Sequence, residues 1–165
     1  MFRSEALTEF TPLFDREGRL PALVPAQTTV PVVSLSREQI DLYFYIIGNL
    51  VVTLGRGEYL VALSGVIGVK DAFLVPVMIE AAGNTRSGGA KRLNPFLGPN
   101  HRKFLEQLPP VAAEPESICT VVSLMAREYA RLAKPLAAKS GIEWPTALEQ
   151  ATADHLRMHT GIKIL

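Results

Sequence analysis

Between Glu58 and Ala82 the sequence is apolar around most of a helix's circumference, relieved by little more than Ser64, Lys70, Asp71 and Glu80. A helix of that kind has to be wrapped by other elements, so this segment is expected to be the central, buried helix. Gly65 and Gly68 would let a neighbouring helix approach closely, and Pro76 should kink the axis. Residues 59–79 also have the length to span a bilayer, but Lys70 and Asp71 fall in the middle, where each is costly in lipid. Residues 40–54 are too short to span and carry Asp41 and Asn49. Both segments therefore read as core helices of a soluble protein, with no membrane partner.

Helical patterning continues on either side. Ser36-Arg37-Glu38-Gln39 is a capping-box pattern, and Ile40, Tyr43, Phe44, Ile47, Leu50 and Val51 follow at helical spacing. Gly55-Arg56-Gly57 should stop or kink that helix. Further on, residues 99–108 read as a short helix ended by Pro109-Pro110. Glu114-Pro115-Glu116 opens another, whose stripe is Ile118, Val121, Val122, Met125, Tyr129 and Leu132 and which fades around Pro135 to Gly141. Pro145 opens a last helix through about His159. Residues 7–14 mix β-branched and aromatic side chains before the turn signal Asp15-Arg16-Glu17-Gly18-Arg19, and Pro21, Pro25 and Pro31 keep the chain extended up to Leu35. The expected architecture is mostly α: a bundle of about five helices over residues 36–165, behind an extended or β lead-in over residues 1–35. A strand as isolated as 7–14 wants a sheet from elsewhere, so it invites a protein partner or a homodimer by strand addition.

With 165 residues the chain can bury a real core, and its formal net charge of +1 points to neither nucleic acid nor an acidic membrane surface as partner. One cysteine, Cys119, excludes an intramolecular disulfide and suits a reducing, cytoplasmic setting; on an apolar stripe it reads as structural rather than nucleophilic. The charged start Met1-Phe2-Arg3-Ser4-Glu5 has no apolar h-region, so no signal peptide is expected.

The residues that could carry chemistry are few. Gly83-Asn84-Thr85-Arg86-Ser87-Gly88-Gly89-Ala90-Lys91-Arg92 is a glycine-rich, triply basic loop whose backbone N–H groups and cations suit a phosphate. It does not match the G-x-x-x-x-G-K-[ST] loop, and a polar interhelical connection would have the same composition. Glu58 stands at the start of the apolar helix, where the dipole keeps a carboxylate ionised; it could act as a general base or simply begin a helix. His155 and His159 share a helix face but lack the glutamate of H-E-x-x-H and read as a solvated pair; no metal ligand set is expected. No G-x-S-x-G occurs, and no arginine stands five to seven residues ahead of a histidine. Glu80 reads as a surface charge facing the basic loop, and Glu128 with Arg131 as a pair on a solvated helix face.

Taken in order, Leu13-Phe14-Asp15-Arg16-Glu17-Gly18-Arg19-Leu20, the proline-broken linker, Leu54-Gly55-Arg56-Gly57-Glu58-Tyr59, the apolar helix and Ser87-Gly88-Gly89-Ala90-Lys91-Arg92 resemble the C-terminal helical half of aminoglycoside-type nucleotidyltransferases, the streptomycin adenylyltransferase-like group included. The resemblance implies a helical domain that closes over substrate and nucleotide, with residues 7–14 as a last strand of a catalytic sheet. It implies transfer of AMP from ATP to a hydroxyl, with Mg2+ held by sheet carboxylates. Glu58 would lie near the acceptor hydroxyl and Lys91, with Arg86 and Arg92, near the phosphates. The family's Gly-Ser turn followed by D-x-D or D-x-E on a strand has no counterpart. No Gly-Ser dipeptide occurs, and Glu114 and Glu116 have the spacing only across Pro115. Without that metal pair the phosphoryl transition state lacks its main electrostatic support. Activity is therefore expected to need residues preceding Met1 or a partner chain. The alternative is a non-catalytic helical module that binds another protein or a second copy.

Overall fold

The computed structural model describes residues 35–84 and 93–165. Residues 7–14 and the cations Arg86, Lys91 and Arg92 lie outside them. Among the described residues the regular structure is helical and forms five rods: α1 (Arg37–Gly48) continued by α2 (Leu50–Gly55); α3 (Tyr59–Val69) joined through a π turn (Lys70–Leu74) to α4 (Val75–Ala81); α5 (Pro99–Gln107); α6 (Pro115–Lys139); and α7 (Thr146–Thr160). The mostly-α bundle read from the hydrophobic periodicity is the fold.

The first rod starts as its capping box requires. The Ser36 hydroxyl accepts from the Gln39 N–H at 3.2 Å, and the Gln39 side chain accepts from the Ser36 N–H at 3.1 Å. Ile40, Tyr43, Phe44 and Ile47 then point inward against α7 and α3. Just ahead of the cap, the Leu35 N–H donates to the Glu80 carboxylate at 2.9 Å. Glu80 is thus half-buried and employed as a clamp between the start of α1 and the end of α4, rather than a surface charge.

Two helix ends explain two of the glycines. At the end of α2, the Glu58 N–H donates to the Thr53 carbonyl at 2.9 Å and the Gly57 N–H to the Leu54 carbonyl at 3.1 Å, with Gly57 at φ +71°. This is a Schellman motif, which needs a left-handed residue at that point. The end of α4 repeats it: Asn84 N–H to Ile79 carbonyl, Gly83 N–H to Glu80 carbonyl, Gly83 at φ +73°. Gly57→Ala and Gly83→Ala each force a Cβ into the left-handed region, at an expected cost of about 1–2 kcal/mol in urea unfolding. A change under a few tenths in both would show that the turns relax freely.

The α3–π–α4 rod departs from the expectation of a helix buried all round. In α3 only Ala62, Val66 and Val69 are buried, whereas Leu60, Val61 and Ile67 are 73%, 55% and 45% exposed. In α4 Val75, Val77, Met78 and Ile79 are all buried. The reason is topological: α1, α2 and α6 pack along one side of α3, and among the described residues no element covers its other side. Gly65 and Gly68 accordingly face open space, with nothing within 4 Å of where a β-carbon would stand, so they serve no close helix approach within the described chain. Pro76 is accommodated by the π turn before it. The Val75 N–H reaches back five residues to the Lys70 carbonyl, and the widened turn leaves room for the proline ring.

After the basic loop the chain returns to the end of α4. The Asn84 side chain donates to the Phe96 carbonyl at 2.9 Å, and a β-carbon on Gly98 would lie 3.7 Å from that of Ala82. α6 is the longest helix, and all six residues of its expected stripe are buried. Its end falls where the stripe was expected to fade, between Pro135 and Gly141. The helix continues to Lys139, with Pro135 on the exposed side while Ala133 and Ala137, both fully buried, hold the last turns in the core. Burial of that face outweighs the one hydrogen bond that proline removes. α7 ends at Gly161, and Ile162 and Ile164 of the tail are buried beyond it.

Candidate functional site

Glu58 follows directly from the Schellman turn. Its backbone is fixed by the bond to Thr53, and it occupies the cap position of α3 with φ −82° and ψ 58°. Its side chain makes no capping bond and is exposed to solvent, beside the exposed Arg56. The local sequence therefore produces a presented carboxylate at a helix start, with the dipole favouring its charge. Among the described residues, neither the cavity beside Tyr129 nor the groove between α7 and the C-terminal tail includes it.

The predicted cations Arg86, Lys91 and Arg92 belong to the loop whose two ends, Asn84 and Leu93, lie at the far end of the same rod. From Glu58 to Gly83 the helical path is about 37 Å at 1.5 Å per residue. Glu58 and the ends of the basic loop are thus at opposite ends of one rod and do not converge. Asp15 and Glu17 share the one-residue spacing of a carboxylate pair in the sequence after residues 7–14; they too lie outside the described residues.

Elsewhere the structure brings together polar residues that sequence periodicity did not mark. Glu149, on the first turn of α7, is only 4% exposed. It accepts from the Trp144 indole N–H at 2.9 Å and pairs with the Lys134 ammonium at 2.9 Å, and that ammonium lies 5.6 Å from the Trp144 ring centroid. The Trp144 ring meets Phe44 edge-on, and Phe44 leads to Tyr43, whose ring stacks on Tyr129 at 3.7 Å. Burial pushes the Tyr43 phenol well above its ordinary value, and the nearby Tyr129 and Glu149 add to it. Burial likewise raises Tyr129, whose hydroxyl has no hydrogen-bond partner in the structure. A proline-adjacent tryptophan five residues before a glutamate was the available signal, but it specifies a partner only once α6 and α7 are packed.

This cluster has no room for a reacting group. The space beside Tyr129, lined by Leu35, Gln39, Phe73, Pro76 and Glu80, is about 10 Å3, about one water molecule. A second, open groove of about 150 Å3 runs between α7 and the C-terminal tail, lined by Gln150, Asp154, Arg157 and Lys163. Both fall short of the 300–1,000 Å3 or so of a small-molecule site. His155 and His159 are exposed with ring centroids 4.9 Å apart, and the described residues contain no group of three metal-binding side chains. The Cys119 thiol lies 3.6 Å from the Thr160 carbonyl, and burial raises it above its ordinary value, which disfavours the thiolate. Arg131 donates twice to Glu128, both bonds at 2.7 Å.

No protein-family model, curated protein or solved structure matches this chain.

Proposed function

We propose that this chain acts as the helical, ligand-binding half of a nucleotidyltransferase-like assembly, non-catalytic unless joined to a sheet that supplies the metal-binding carboxylates. The observation that carries the reading is the ordered set of segments from Leu13 to Arg92, together with the helical bundle of the described residues, a fold of the kind that the resemblance implies. In this reading the basic loop with Arg86, Lys91 and Arg92 steadies the phosphates of ATP–Mg2+. Glu58 faces an acceptor hydroxyl. Because Glu58 and the described ends of the loop lie at opposite ends of one rod, this chain by itself does not bring the two ligands within transfer distance, and the reading assigns it binding alone.

Isothermal titration of the chain with ATP–Mg2+ and with a panel of aminoglycosides tests it. ATP–Mg2+ is expected to bind, and the double substitution Lys91→Ala with Arg92→Ala to weaken it about 10- to 100-fold, the loss of one or more charge-assisted phosphate contacts. Glu58→Gln is expected to leave ATP binding unchanged and to weaken only the acceptor. Absence of heat with every ligand rejects the small-molecule role.

A second reading, a helical module that binds protein, is favoured by one specific observation: the outer face of α3 is apolar and uncovered among the described residues.

A further inference from the structure

The exposed residues of α3 form one arc. Taking Ser64 as its middle, Leu60, Val61, Ile67, Gly68 and Asp71 all fall within about 60° of it around the helix axis. Apolar side chains of this size standing in water are unfavourable, and each mid-helix glycine costs about 0.5–1 kcal/mol relative to alanine. Neither cost is recovered inside the described chain, where nothing approaches Gly65 or Gly68.

We propose that this arc is the contact surface between two copies of the chain, packed as antiparallel α3 helices about a two-fold axis at Ser64. The assignment goes beyond the nucleotide reading and does not depend on it. An isologous contact must be complementary to itself, and this arc is. With the axis at Ser64, Leu60 of one copy meets Gly68 of the other, so the largest projecting side chain enters the gap left by a glycine. Val61 meets Ile67, and Ser64 meets its own copy.

The charges fit the same register. Asp71, with 64% of its side chain exposed, lies seven residues from the axis and so stands at the level of the turn that precedes α3 in the second copy, the turn that carries Arg56. Arg56 is exposed and makes no ion pair among the described residues. Lys70, which holds Asp71 at 3.4 Å, lies well to the side of the arc and leaves the second carboxylate oxygen for the incoming guanidinium. The two-fold axis makes this pair twice, once at each end of the apolar strip. At 23 residues the Tyr59–Ala81 rod is long and apolar enough by composition to cross a membrane. An acidic residue within the arc, however, disfavours a lipid surface and favours a partner that carries an arginine.

Sedimentation of the full chain across the micromolar range tests the proposal, with helix content and thermal midpoint checked for every variant. The wild type is expected to pass from monomer to dimer. Ile67→Arg, at an exposed position that folding does not need, is expected to give a monomer with an unchanged circular dichroism spectrum. Asp71→Arg is expected to weaken the dimer at least about tenfold, and Arg56→Asp combined with Asp71→Arg to restore it. A wild type that stays monomeric, a dimer indifferent to Ile67→Arg, or a charge swap without recovery overturns the proposal. So does a monomer that binds phosphatidylcholine–phosphatidylserine vesicles and loses them on Ile67→Arg, which would give the face to lipid instead.

Discussion

Tyr43→Ala is expected to cost about 3–5 kcal/mol of unfolding free energy, the range found for emptying an aromatic core position. Tyr43 is 2% exposed and touches three other aromatic rings: Phe44 at 5.4 Å, Phe73 at 5.7 Å and Tyr129 at 3.7 Å between centroids. These belong to α1, the π turn and α6, so one side chain ties three rods together. In a chain of this length the loss corresponds to a fall in thermal midpoint of about 6–20 °C, at about 2–4 °C per kcal/mol. The neighbouring Tyr129→Phe supplies the contrast. It removes a buried hydroxyl that has no partner and keeps the ring, so stability should change by less than about 1 kcal/mol in either direction. Urea unfolding of both variants decides the matter. A mild Tyr43→Ala, or a Tyr129→Phe as damaging as it, would mean that the aromatic stack does not join the rods.

The second large effect is expected at Glu149. Replacing it with alanine removes the acceptor of the Trp144 N–H and the partner of Lys134, and should cost about 2–4 kcal/mol. Glu149→Gln keeps an oxygen for the indole and should recover about half of that. Lys134→Met should cost about 1 kcal/mol or less, because 44% of the lysine side chain is exposed and water can replace its ammonium. The ordering is the test. If Lys134→Met proved as costly as Glu149→Ala, the ion pair rather than the indole bond would be joining α6 to α7.

The same residues show which parts of the molecule can be read in one dimension. The capping box at Ser36, the stops at Gly57 and Gly83 and the six-residue stripe of α6 are local facts: each depends on residues at most a few turns apart, and each is present in the structure. The site candidates were legible only as residue types. Glu58 is where a helix start was expected, but whether a carboxylate there is buried against a substrate or open to water depends on what packs beside it. The cluster around Glu149 was not legible, since Trp144 and Lys134 approach it from a turn and from a second helix.

Sequence alone determined that the described part of this protein is a helical bundle of about five rods and, to within a few residues, where each begins and ends, because hydrogen bonding, capping and periodicity act within a few residues. Only the tertiary structure decided which faces those rods bury. The apolar composition of residues 58–82 called for cover on every side, yet burial is set by the number of neighbours that fit around an axis. Three helices take one side of α3 and none of the described residues takes the other. A continuous apolar sequence is consistent with a buried core helix and with a helix that keeps one face for a partner, and only packing separates the two.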